Sequence, residues 1–289
     1  MQIVQEETRL PEARAPILQA HLAGVVLTSP DPAALARFYE EAMGYQAEGS
    51  GPDWTGRLDS RWLTIRAGAG NRVDQTAFAV ADLQQLAELR DRLRAASVPF
   101  AAAALPFFSG EAIRVSDPDG NVLLFGIETA KPAPAAATPA RLQHIVFASD
   151  ATAPMMRFYC DVLGFAPSDY VKDADGDLTS AFLRCGTEHH TLAIFRAPAK
   201  RLDHLCYDVG DWMHIRDWAD RFAARHITLR WGPGRHGPGN NLFLFVNDPD
   251  GNWLEFSAEL DQVEGGPPIK LWVHEQRTLN SWGTAFLRS

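Results

Sequence analysis

The chain repeats itself. Asp117-Pro-Asp-Gly-Asn121 returns as Asp248-Pro-Asp-Gly-Asn252, and Phe38-Tyr39 with Gly44 returns as Phe158-Tyr159 with Gly164. A third stretch, Arg72-Val-Asp-Gln-Thr-Ala-Phe-Ala-Val80, has its twin in Arg201-Leu-Asp-His-Leu-Cys-Tyr-Asp-Val209. The spacing between copies widens toward the C-terminus, as loop insertions in one copy would produce. A duplicated unit constrains a fold strongly, because any architecture assigned to one half must also suit the other.

Within the first half, residues 20–28 form an apolar, β-branched run, and Ser29-Pro-Asp-Pro supplies turn and helix N-cap residues. Ala34, Leu35, Phe38, Tyr39 and Met43 recur at helical spacing and stop at Gly44. Strand-like pieces follow to about Arg66, then a helix marked by Leu83, Leu86, Leu89 and Leu93, then a strand over 121–125. The second half restarts with a strand over 142–148 and a helix carrying Met155, Met156, Phe158, Tyr159 and Leu163. The cadence is βαβββ, four times over. It predicts an α+β protein of two tandem domains, each a pair of βαβββ modules curled into an incomplete β-barrel around a central cavity.

Lys131-Pro-Ala-Pro-Ala-Ala-Ala-Thr-Pro-Ala140 is stiff and has little to pack, so the boundary falls there. The expected division is an N-terminal domain over 1–130, a linker over 131–140, a metal-binding domain over 141–260 and a tail over 261–289. A formal charge of -9 argues against a nucleic-acid or anionic-membrane partner and points to a small molecule. Cys160, Cys185 and Cys206 form no CxxC pair and no even-numbered framework, so a reducing cytoplasm is expected. The polar lead-in over 1–19 resembles no signal peptide, and no segment has the length of a membrane span.

Matching positions in the two halves differ in one chemical respect. His144 stands where the first half has Gly24, His204 where it has Gln75, and Glu255 where it has Leu124. Each of the three lies inside an apolar strand. A lone imidazole in such a strand is commonly a hydrogen-bonded structural residue, but a carboxylate there needs compensation. Together, two imidazoles and one carboxylate make the facial triad associated with non-haem iron(II), with further positions open.

With Phe182-Leu-Arg-Cys-Gly-Thr-Glu-His-His-Thr-Leu-Ala-Ile194 and the run from Gly232 through His236 to Trp253-Leu-Glu-Phe256 added to the triad, the chain resembles the type I extradiol ring-cleavage dioxygenases of the vicinal oxygen chelate superfamily over nearly its whole length. The resemblance implies that His144, His204 and Glu255 bind Fe(II), or Mn(II) in some members. It implies a small aromatic diol held through both oxygens, O2 as co-substrate, and ring opening beside the hydroxyls. A homo-oligomer is expected on the same ground.

His190 matches the family's acid/base histidine, and on a strand His189 would face the other way, as a surface imidazole. His236 matches a histidine near the substrate hydroxyl, its flanking glycines suiting close approach to a ligand. Where many members carry a tyrosine that contacts the diol, this chain has Phe245. That departure keeps two rivals open: a Lewis-acid isomerase, lyase or hydrolase working without O2, and a non-catalytic binder of aromatic ligands. Trp212, Met213 and Trp218 read as helix packing. His21, His214, His226 and His274 read as solvent-facing or structural. Asp173-Ala-Asp-Gly-Asp177 lacks the later glutamate of a calcium loop and reads as a turn.

Overall fold

The computed structural model describes residues 10–49, 51–129 and 138–285. The first part of the Pro/Ala stretch, 131–137, lies outside the described residues, as do residues 1–9 of the lead-in.

The first half is one eight-stranded sheet. Strands β1 (Ala20–Ser29), β2 (Gln46–Ala47), β3 (Trp54–Leu58) and β4 (Arg61–Ala67) form its first module, and β5 (Arg72–Val80), β6 (Phe100–Ala103), β7 (Phe108–Ser116) and β8 (Val122–Glu128) its second. The order β2-β3-β4-β1-β5-β8-β7-β6 reads the same from either end, module for module, about the antiparallel β1–β5 pair. Helices α1 (Pro32–Phe38) and α2 (Leu83–Ala95) connect the strands. Asp31 and Asp82 cap them by accepting from the backbone of Ala34 and Gln85. After α1 the chain widens into a π turn over Tyr39–Met43 and stops at Gly44, whose φ of 91° suits glycine.

The second half repeats this plan. Strands β9 (Arg141–Ser149), β10 (Ala166–Lys172), β11 (Leu178–Arg184) and β12 (Leu192–Arg196) are followed by β13 (Arg201–Gly210), β14 (Trp231–Arg235), β15 (Leu242–Asn247) and β16 (Trp253–Ala258). Helix α3 (Thr152–Arg157) ends in a matching π turn at Gly164, and α4 (Trp212–Ala223) serves the second module. The C-terminal segment then adds β17 (Lys270–Val273), parallel to β10, and a short helix α5 (Gln276–Leu279), giving a nine-stranded sheet. Among the described residues neither sheet closes into a barrel.

The two halves are joined by reciprocal hydrogen bonds. Tyr39 donates its hydroxyl to Asp248 at 3.1 Å, and Tyr159 donates to Asp117 at 3.0 Å. Both carboxylates also organise their Asp-Pro-Asp-Gly-Asn turns, taking backbone N–H groups of Asn252 and Asn121. These repeats are therefore turns, and also ties between halves. Burial pushes the Asp248 carboxyl up to about 6, against the hydrogen bonds from Asn252 and Tyr39 that favour its charged form. The lead-in also crosses over: the backbone N–H groups of Ile17 and Leu18 bond the carbonyl of Gly164.

Packing corrects two readings, at Trp212 and Met213. Leu86, Leu89 and Leu93 are buried, but Leu83, first in its helix, is 73% exposed. Trp218 is fully buried against Phe222 and Phe256, whereas Trp212 and Met213 lie on the outer side of α4. The apolar stripe that faces the sheet starts one turn later than the composition of α4 suggests.

Candidate metal centre and active site

The strand register brings the ligand candidates together. Across the antiparallel β9–β13 pair, His144 lies opposite Cys206 and Val146 opposite His204. Across the parallel β13–β16 pair, Cys206 lies opposite Glu255. The first half holds the same register with other side chains: Gly24 opposite Ala77, Val26 opposite Gln75, Ala77 opposite Leu124. Gly24, Gln75 and Leu124 thus occupy the three positions that His144, His204 and Glu255 occupy in the second half.

His144, His204 and Glu255 are all buried, and one ligand atom from each lies within 4.8 Å of the others. His144 Nε2 and His204 Nε2 approach Glu255 Oε2 at 3.4 and 3.1 Å. The other ring nitrogens are already taken. His144 Nδ1 is 2.6 Å from Gln143 Oε1, and His204 Nδ1 is 2.8 Å from Asp203 Oδ1. Both acceptors hold the proton on Nδ1, so both Nε2 lone pairs converge on the carboxylate. Asn241 steadies the other carboxylate oxygen, donating to Oε1 at 3.0 Å. Two neutral nitrogens and one carboxylate, pre-oriented from behind and open on one side, suit a divalent transition metal.

The electrostatics agree. Burial alone would raise Glu255, but the three imidazoles of His144, His204 and His236 that surround it hold it well below the usual carboxylate range. Burial lowers His144. It acts on His204 in the same sense, but Asp203 and Glu255 flank that ring and carry it the other way. His190 is held well below the ordinary imidazole value by burial and by His144, whose ring lies 4.2 Å away. It is neutral near pH 7.

The triad opens into a mostly apolar cavity walled by Val146, Phe182, Phe195, Trp231, Phe245 and Leu279. His190 and His236 also line it. Phe245 stacks on Trp231 at 5.3 Å and meets the edge of the His204 ring, so this part of the wall is apolar. His236 Nδ1 donates to the Leu279 carbonyl, and its ring lies flat on Phe243 at 3.9 Å.

Several expectations change here. His189 and His190 sit in the loop between β11 and β12, not on a strand, so adjacent side chains need not diverge. His189 is no surface imidazole: it is 2% exposed and 3.3 Å from Asp169. The glycines around His236 admit the C-terminal segment rather than a ligand, since a Cβ on Gly237 would lie 2.8 Å from the Thr278 carbonyl and one on Gly234 2.6 Å from Asn280. That segment also contributes His274, Thr278 and Leu279 to the cavity wall. His274, paired with Thr179, is therefore a cavity residue that lacked any local motif to reveal it. His21 pairs with Glu128, and His214 contacts Asp211. Asp173 accepts from the backbone of Asp175 and Asp177, which makes its loop a turn as expected.

Residues 141–256 match the model of the Glyoxalase/Bleomycin resistance protein/Dioxygenase superfamily. The chain is 31% identical over 260 residues to biphenyl-2,3-diol 1,2-dioxygenase of Paraburkholderia xenovorans, a match covering 80% of this chain and 83% of that protein. It is 28% identical to an iron-dependent extradiol dioxygenase of Rhodococcus jostii, across 78% and 81% of the two chains. A match at 33% to Metapyrocatechase 2 of Cupriavidus necator spans less, 44% of this chain and 39% of that one. Among solved structures, the Mn(II)-bound glyoxalase from Novosphingobium aromaticivorans superposes with a TM-score of 0.80 at 28% identity, over 93% and 91% of the two chains. This chain belongs to the Glyoxalase/Bleomycin resistance protein/Dioxygenase superfamily and, within it, to the type I extradiol dioxygenases.

Proposed function

We propose that the protein is an Fe(II)-dependent extradiol dioxygenase that opens the ring of a catechol-type diol beside its hydroxyls, with O2 as co-substrate. The observation that carries the reading is the convergence of His144 Nε2, His204 Nε2 and a Glu255 oxygen at the floor of an apolar cavity. His144, His204 and Glu255 would hold the metal, which when bound supplies a Lewis acid for the diol and a redox centre for oxygen. Iron fits the donor set and the Rhodococcus relative, and Mn(II) fits the same donors.

The protein's own groups do the rest. Val146, Phe182 and Phe245 exclude water and present a flat apolar slot to an aromatic ring. His190, neutral and beside His144, takes a hydroxyl proton and returns it to the developing product. His236 faces the diol from the side of the C-terminal segment. Phe245 leaves one contact to that diol apolar. A homo-oligomer accompanies the reading on family likeness alone. No helix among the described residues is long and apolar enough to cross a membrane.

Oxygen uptake by iron-loaded protein, with a panel of catechols and bicyclic diols, tests the reading. Uptake equal to diol consumed, with a yellow ring-opened product, is expected. Metal bound in full with no uptake on any diol would contradict it. The likeness to the Mn(II)-bound glyoxalase favours one alternative, Lewis-acid chemistry without O2, for which turnover under strict anaerobiosis is the signature.

A further inference from the structure

Behind His190 lies a chain of buried polar groups that neither the metal site nor the cavity requires. His190 Nδ1 is 3.1 Å from His189 Nδ1. His189 Nε2, on the far side of its ring, is 3.3 Å from Asp169 Oδ2. That same oxygen accepts from the Trp272 indole at 2.6 Å. His189, His190 and Asp169 are each at most 3% exposed. Trp272 lies on β17 and Asp169 on β10, so the C-terminal segment closes the network.

Hydrogen-bond bookkeeping gives this chain a direction. His189 Nε2 makes no hydrogen bond to another described group, but its 3.3 Å approach to the Asp169 carboxylate favours the tautomer with the proton on that nitrogen over one that sets a lone pair against the charge. In a neutral His189 the proton on Nε2 leaves Nδ1 as an acceptor. The two Nδ1 atoms face each other, so one must donate and the other accept, and the donor is then His190. His190 with its proton on Nδ1 keeps a lone pair on Nε2, the nitrogen left to the cavity. His189 itself is held by two backbone hydrogen bonds: its N–H donates to the Asp261 carbonyl, and its carbonyl accepts from the Ser168 hydroxyl.

The first half has none of these parts. Its matching hairpin closes through Asp59 and Ser60 directly into β4, with no room for a histidine pair, and Gly49 follows β2 where Asp169 lies on β10. The network and the triad occur in the same half.

We infer that Asp169 and His189 are positioning residues that fix the tautomer of His190, presenting a lone pair rather than an N–H to the substrate hydroxyl. This rests on the reading of His190 as the proton-transfer group. The test uses the full chain with diamagnetic Zn(II) in the site, 15N-labelled at histidine, and long-range proton–nitrogen correlation. The proton of His190 should sit on Nδ1, and His189→Leu should abolish that single tautomer. In the iron-loaded enzyme His189→Leu should lower kcat about 10- to 100-fold, with metal content and KM unchanged. His189→Asn, whose side-chain carbonyl can accept where Nδ1 did, should recover most of the loss. A His190 proton on Nε2 in the wild type would overturn the inference, as would full kcat in His189→Leu or equal losses in His189→Leu and His189→Asn. If His189→Leu fails to fold, the wild-type tautomer and His189→Asn decide. The nitrogen spectrum needs no turnover, so it remains decisive even if no diol proves to be a substrate.

Discussion

The two halves share one backbone plan and differ in what fills it. In the second half the three facing positions carry His144, His204 and Glu255, and the space beyond them is a cavity. In the first half Gly24 and Leu124 stand at two of those positions, and Trp62 and Phe107 stack at 5.4 Å within a cluster of Ala23, Ala77, Phe108 and Leu124. Gly24 is itself required by that filling, since a Cβ there would lie 2.5 Å from the Trp62 carbonyl oxygen. The first copy fills these three positions without a ligand set and keeps a separate cavity lined by Val26, Trp62 and Thr64, whereas the second gathers there polar groups that packing alone would penalise. A duplicated sheet thus separates scaffold from chemistry: the first half shows what the fold needs, and whatever the second half adds is the site.

The strongest way to break the contrast is to make the second half resemble the first. Glu255→Leu installs the residue of the matching position and removes the charge that His144 and His204 face. Metal retention and turnover should both fall more than about 100-fold, beyond the 10- to 100-fold typical of groups behind the ligands, as read by metal analysis and oxygen uptake. Asp203→Asn leaves all three ligands but weakens the acceptor that fixes His204. Metal affinity should drop about 10- to 100-fold, measured by competition with a chelator.

The ties between the halves give a prediction about stability. Asp248 has a folded pKa raised by burial to about 6, above the ordinary 3.8. The folded state therefore binds that proton more tightly than the unfolded state does. Its contribution to stability is full below about pH 4 and is lost as the pH rises through 6. Asp248→Asn removes this dependence. Relative to wild type, the variant should gain roughly 2 kcal/mol between pH 4 and pH 7, seen in urea midpoints with m unchanged. The smallest effect concerns the wall of the cavity. Phe245→Tyr adds a hydroxyl worth about 0.5–1.5 kcal/mol if it reaches the diol, so KM or kcat should improve by about 2- to 10-fold.

Much of this was legible in the sequence because a metal site needs particular side chains at particular strand positions, and a repeat supplies its own control. Gly24, Gln75 and Leu124 made His144, His204 and Glu255 conspicuous before any coordinate was known. What escaped depends on approach between distant segments. Nothing near His274 announces that the chain returns to the cavity, because the contact is made through Thr179 far earlier in sequence. A strand would turn His189 away from His190, but a longer loop stands there, and the Asp169 that His189 approaches comes from another strand. The hydroxyls of Tyr39 and Tyr159 read as helix-face aromatics, and only the pairing of the halves reveals their acceptors.

The most direct test of the central claim is metal stoichiometry per chain, measured side by side on wild-type protein and Glu255→Leu purified under anaerobic conditions. One divalent metal per wild-type chain and essentially none in the variant is the predicted result. Two metals per wild-type chain, or one retained in Glu255→Leu, would contradict a single centre built by the second half.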